Sequence, residues 1–244
     1  MPKVTKPSTA KPARGAPVRD LARAFKHGAK YKDQHAAYTV KLVDLAAVTL
    51  PTGKIFAADP FAFHRIEPFE RTVKKGTYAV IASIAKIAPL KKGRPQERVA
   101  AAMLRIAKGE PASWINATRK GQKLGKLESD HFFGYGVDAG TGCFCDISAA
   151  TALKALDEVE HANENWEGWL MAKISKGMLA SKQAWGSGSA ITVPDTKANV
   201  VAFSSGWGDG FYGSYWGISA KGEPLCLVTD FGVYPAEPRP EPVV

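Results

Sequence analysis

Cysteine is scarce: Cys143, Cys145 and Cys226 are all there are in 244 residues. Three thiols cannot build the disulfide framework of a small secreted scaffold, so the chain reads as a protein of the reducing cytoplasm. Also absent is any run of about 18 apolar residues, which argues against a membrane-spanning helix. Familiar catalytic signatures are missing too. Val48 stands where a phosphate-binding loop ending in Gly53-Lys54 would need glycine, and "GYGVDAG" breaks the dinucleotide pattern at Ala139. "GSGSA" does not place its serine as a nucleophile elbow does. The five histidines, His27, His35, His64, His131 and His161, show no paired metal spacing. In "CFC" the two thiols sit at i and i+2 on one strand face, where zinc sites favour C-x₂-C, so they read as small buried side chains. An EF-hand loop begun at Asp138 fails at Gly140, Gly142 and Ala149. Neither metal nor cofactor is expected.

Positive charge is what the chain has in excess, and its location matters more than its size. Residues 1–32 hold nine Lys and Arg against Asp20 alone, so eight of the net +10 charges lie there and the remaining body is close to neutral. This Pro-, Ala- and Lys-rich stretch has too few large apolar side chains to offset its ordering entropy. Residues 1–37 are therefore expected to form a basic, largely disordered arm, with weak nucleic-acid contact through residues 1–32 as one reading of its charge. The globular domain is expected over 38–234, followed by the Pro-rich tail 235–244.

Within that domain, apolar and aromatic runs alternate with Gly- and Pro-rich turns. Strands are expected from Tyr78 to Ile87 and over "ERVAAAMLRI", where residues alternate about Ala100 and Ala102. "HFFGYGVDAGTGCFCDI" reads as two strands paired about a Gly-rich turn. Ser148 is a plausible N-cap, with Leu153, Leu156 and Val159 at helical spacing behind it, and that helix is continued, or replaced by a second one, through Trp166, Trp169 and Leu170. Val200–Ser204, Phe211–Ser219 and Leu225–Phe231 then read as an antiparallel meander. The fold class is α+β: mostly antiparallel sheet, sandwich-like or strongly twisted, with a helical insertion near 148–176.

Two features stand out as site candidates. A hairpin with Ala139–Gly142 as its loop would set Asp138 and Asp146 about 10 Å apart on opposite faces, which leaves Asp138 with Asp209 as the pair able to share a site. The second is "FSSGWGDGFYGSYWG", Phe203–Gly217, with five glycines and six aromatic side chains. Connector glycines there suit an Asp-Gly turn. Gly213 and Gly217 lie beside Phe211 and Tyr215 on one strand face, where rings lie across glycine or backbone stays open to a partner.

The blocks "LPTGKIFAADP", "PFERTVKKGTYAV", "FGYGVDAGTGCFCD", "VAFSSGWGDGFYGSYWG" and "CLVTDFGV" together resemble the bacterial domain of unknown function 4241 family over about Val40–Val233. That resemblance implies kinship of fold and transfers no activity, cofactor or catalytic residue. It departs at position 213, where the family looks to carry Pro and this chain has Gly. Three readings of function follow. One is a non-catalytic binding module that presents Ser204, Ser205, Trp207, Asp209 and Tyr215 to a protein or small ligand. Another is a carboxylate- or metal-dependent hydrolase built on Asp138 and Asp209. The third rests on the basic arm alone.

Overall fold

Residues 76–89 and 96–105 are both strand, as expected, and through their middles side chains on both faces are buried. The computed structural model describes residues 14–62, 66–128, 131–162, 168–180 and 189–236. In chain order the elements are α1 (Leu21–Ala24), β1 (Lys30–Lys32), β2 (Ala36–Leu50), β3 (Ile55–Ala58), β4 (Gly76–Pro89), β5 (Gln96–Arg105), β6 (Ser113–Asn116), β7 (Gly134–Val137) and β8 (Thr141–Asp146). They continue with α2 (Ile147–Ala162), α3 (Trp169–Ala180), β9 (Ser189–Thr192), β10 (Asn199–Ser204), β11 (Gly210–Ile218) and β12 (Pro224–Asp230). The fold is α+β, mostly antiparallel.

A large curled sheet runs β1-β2-β4-β5-β12-β11-β6, with β7 also on β11, and a small sheet runs β3-β8-β10-β9. Period-2 alternation assigns their faces. Leu104, Trp216 and Leu227 of the large sheet meet Phe144, Val201 and Phe203 of the small one in the main core. On the other face of the small sheet Cys143, Cys145, Val200 and Ala202 pack against Ala149, Leu153 and Ile174 of α2 and α3. Both "CFC" thiols thus share a buried face, with Phe144 on the opposite one. Met103, Tyr215, Cys226 and Val228 occupy the far face of the large sheet beneath Leu21. Four layers result: helices, small sheet, large sheet, amino-terminal segment.

Two sequence expectations change. Strands β7 and β8 do not pair: β7 joins β11 in the large sheet and β8 joins β3 and β10 in the small one. The expected three-stranded meander reduces to the β11–β12 hairpin, since β10 belongs to the other sheet. In addition, part of the stretch assigned to the arm is built into the fold. Leu21, Ala24 and Tyr31 are buried, Arg19 pairs with Asp230 at 3.2 Å, and its Nε donates to the Tyr234 carbonyl. The remaining arm residues 1–13, His64, Trp166, residues 181–188 and the tail from 237 lie outside the described residues. Among those described, no helix is long and apolar enough to cross a membrane.

Tyr234 locks the two ends of the domain together. It stacks on Tyr31 at 4.5 Å, meets Tyr38 edge-on at 6.4 Å, and its hydroxyl lies 3.0 Å from Ser83 Oγ. Burial pushes its phenol up to about 12, opposed by the Ser83 hydrogen bond. A raised folded pKa means stability is intact below the ordinary value of 10.0 and is lost as pH rises through 12. Urea midpoints should therefore drop between pH 9 and pH 11, with Tyr234 contributing about 1 kcal/mol of the loss. Tyr234→Phe should flatten that slope; an unchanged pH dependence would show that Tyr234 does not ionise on unfolding.

Candidate functional site

Two of the chain's crossings between the sheets lie side by side. Asp138–Gly140 leads from β7 to β8, while Ser205–Asp209 leads from β10 back to β11. Paired rungs bound them at both ends: Val137 with Gly210 in the large sheet, Thr141 with Ser204 in the small. Between those rungs the Ser205 amide donates to the Gly140 carbonyl at 3.0 Å, and the Gly140 amide donates to Asp209 Oδ1 at 3.1 Å. The glycines and short polar side chains that suggest a hairpin loop here turn a corner instead.

Asp59, one residue past β3, anchors this corner from below. Its carboxylate is buried and accepts the amides of Asp138 at 2.9 Å, Ala139 at 2.8 Å and Phe61 at 2.8 Å. Three amide donors compensate the carboxylate for lost water. From the other crossing, Ser205 Oγ and the Tyr212 hydroxyl both donate to the Gly208 carbonyl at 2.8 Å. Gly206 has φ +63° and a Cβ there would lie 2.9 Å from Phe231 Cβ, so this turn admits only glycine without displacement.

The corner turns the Asp59 carboxylate and Ser205 inward and two rings outward. Trp207 and Phe211 are 54% and 57% exposed, which is unusual for rings of their size. Neither is loose: the Arg98 guanidinium lies 5.0 Å from the Trp207 ring centre, and Phe211 stacks on Phe132 at 5.8 Å. Of the residues singled out from the sequence, Asp138, Ser204, Ser205, Trp207 and Asp209 all come to this corner. Asp138 and Asp209 follow directly on the last β7–β11 rung, both exposed. Ser205 is buried as part of the turn. Tyr215 is buried on the far face of the large sheet, away from the solvent surface of the corner.

A family model described as "Protein of unknown function (DUF4241)" matches residues 48–229. The chain belongs to the DUF4241 family. No curated protein and no solved structure matches it. In this DUF4241 domain the matched span includes Asp59 and both crossings of the corner, whereas α1 and β1 precede it.

What the DUF4241 corner can do chemically is set by which groups are spent. Asp209 gives one oxygen to the Gly140 amide, and Asp59 is fully committed to backbone amides. Among the described residues no group of three His, Cys, Asp or Glu side chains converges as a metal site would require. Asp146 is not near the corner's surface; it is buried at the far end of β8, accepting from Thr52 and Ser148. Beneath the corner, the Tyr135 hydroxyl is buried, and desolvation drives its ionisation far above the usual phenol range. Asp59 carries no motif that marks it in the sequence, since "ADPF" reads as an ordinary Asp-Pro turn.

Proposed function

We propose that this protein is a non-catalytic binding module whose corner, with Trp207 and Phe211 flanking Asp209, docks a protein partner. One observation carries the reading: two large rings are held exposed on a corner whose backbone is fixed from beneath by Asp59, Ser205 and Tyr212. A surface ordered before contact loses less conformational entropy on binding, and exposed aromatics concentrate binding energy. The hydrolase reading draws on the adjacency of Asp138 and Asp209, yet Asp209 already serves the backbone. The nucleic-acid reading loses Arg19, which is paired with Asp230.

The test compares the immobilised wild-type chain with a Trp207→Ala/Phe211→Ala variant against lysate of the source cells. Both side chains are more than half exposed, so the thermal midpoint should stay within about 2 °C. At least one retained protein should drop about tenfold or more. Equal retention by a folded variant would refute the docking surface. Loss of turnover on Asp138→Asn, should any substrate be found, would instead favour the hydrolase.

A further inference from the structure

On the far side of the large sheet, well away from the corner, α1 and the segment after it stand off from β5, β6 and β12 and leave a cleft of about 790 Å³. Its floor is apolar: Met103, Trp114, Leu225 and Cys226, walled by Leu21 and Phe25. Its rim is cationic. Lys26, Lys30 and Arg105 are exposed around the opening and, among the described residues, none has an acidic partner. Arg23 is occupied, bonding the Lys30 carbonyl and lying 4.5 Å over the Tyr31 ring. Two acids, Asp20 and Glu110, stand among four cations, so the lining of the cleft keeps a net positive charge.

Such a volume lies in the range of small-molecule sites, about 300–1,000 Å³, and the pairing of an apolar floor with unpaired cations defines what fits. We propose that this cleft binds a small amphipathic anion, an apolar chain or ring system carrying one carboxylate or phosphate head. The body rests on Met103 and Trp114, and the head meets Lys26, Lys30 and Arg105. The site is independent of the corner and of the docking reading given to it. Burial pushes the Cys226 thiol on the floor up to about 11, which lowers its reactivity as a nucleophile. The wall comes from α1, which precedes the residues matched by the family model, so this site is assembled partly from sequence outside that match.

The experiment uses the full chain and 8-anilinonaphthalene-1-sulfonate, an aryl anion whose fluorescence rises in an apolar site, displaced by decanoate, decyl phosphate or decanol. One dye should bind per chain, and decanoate or decyl phosphate should displace it at least tenfold more effectively than decanol; the better of the two identifies the head group. Lys26→Glu/Arg105→Glu, two exposed positions, should weaken dye binding tenfold or more with an unchanged thermal midpoint. Met103→Trp, which fills the floor and keeps every charge, should also abolish binding; if that variant does not fold, the charge-reversal variant decides. Trp207→Ala/Phe211→Ala should leave dye binding intact, which separates failure here from failure of the corner. Displacement by decanol equal to that by the anions, or charge reversal without effect, would overturn the proposal.

Discussion

Asp146→Ala is expected to cost about 3–5 kcal/mol, enough to leave much of the chain unfolded at 37 °C. Asp146 closes β8 and opens α2, and its side chain is fully buried. The carboxylate accepts the Ser148 amide at 2.9 Å and hydroxyl at 2.7 Å, capping the helix in the place where the sequence suggests Ser148. On its other side it accepts the Thr52 amide at 3.0 Å and hydroxyl at 2.9 Å, which holds the β2–β3 turn against the helix start. Removing it breaks four hydrogen bonds to a charged acceptor, two of them from part-buried amides, each worth about 1 kcal/mol or more, and with them a cap worth about 1 kcal/mol. Asp146→Asn keeps one acceptor oxygen and should lose about half as much. Urea unfolding followed by far-UV circular dichroism reads both, with Asp138→Ala, an exposed side chain, shifting stability by no more than about 0.5 kcal/mol. Equal midpoints for Asp146→Ala and Asp138→Ala would mean that the turn and helix are held without the carboxylate.

Local pattern was legible in the sequence, and pairing was not. β4, β5, β10, β11 and β12 stand close to where alternation and turn residues put them, because a strand's faces are written in its own period. The face assignment of β11 follows as well: Tyr212, Trp216 and Ile218 enter the main core while Tyr215 takes the opposite side. Which sheet a strand joins is decided by distant partners. Asp138–Gly140 and Ser205–Asp209 have the composition of hairpin loops, and only the separate pairing of β7 with β11 and β8 with β10 makes them a corner. The cleft was invisible for the same reason, since Leu21 and Phe25 meet Met103 and Cys226 only through the fold. Composition also misled at the amino terminus. A few anchors, Leu21, Ala24 and Tyr31, suffice to hold a basic segment when each is buried.

The two glycines of β11 that look unnecessary in the sequence are required by neighbours. A Cβ at Gly213 would lie 2.8 Å from Phe132 Cδ2 and from the Tyr215 hydroxyl, and one at Gly217 would lie 2.6 Å from Cys226 Sγ. Rings and sulfur fill the missing side-chain space, so the bare backbone there is part of the packing. Where the sequence leaves open a backbone surface for a partner, the structure fills it from within.

A closer approach lies across the ladder, on β7, and supplies a matched test. A Cβ at Gly134 would sit 2.3 Å from the Tyr212 carbonyl oxygen and 3.0 Å from the Phe211 ring, while one at Gly136, two residues along the same strand, would meet nothing within 4 Å. Neither glycine has a positive φ, so conformational strain does not separate them. Gly134→Ala forces β7 away from β11, because the obstructing atom is backbone and cannot turn aside. It should cost about 3–4 kcal/mol. Gly136→Ala should be neutral or stabilising by up to about 1 kcal/mol through the lost freedom of the unfolded chain. The separation reaches the corner as well, since the Gly210–Val137 rung ends the same ladder. In Gly134→Ala, hydrogen exchange at Gly140, whose amide is held by Asp209, should accelerate more than exchange at Leu227 in the core. Equal destabilisation by the two alanines would show that β7 is not held against β11 in this register.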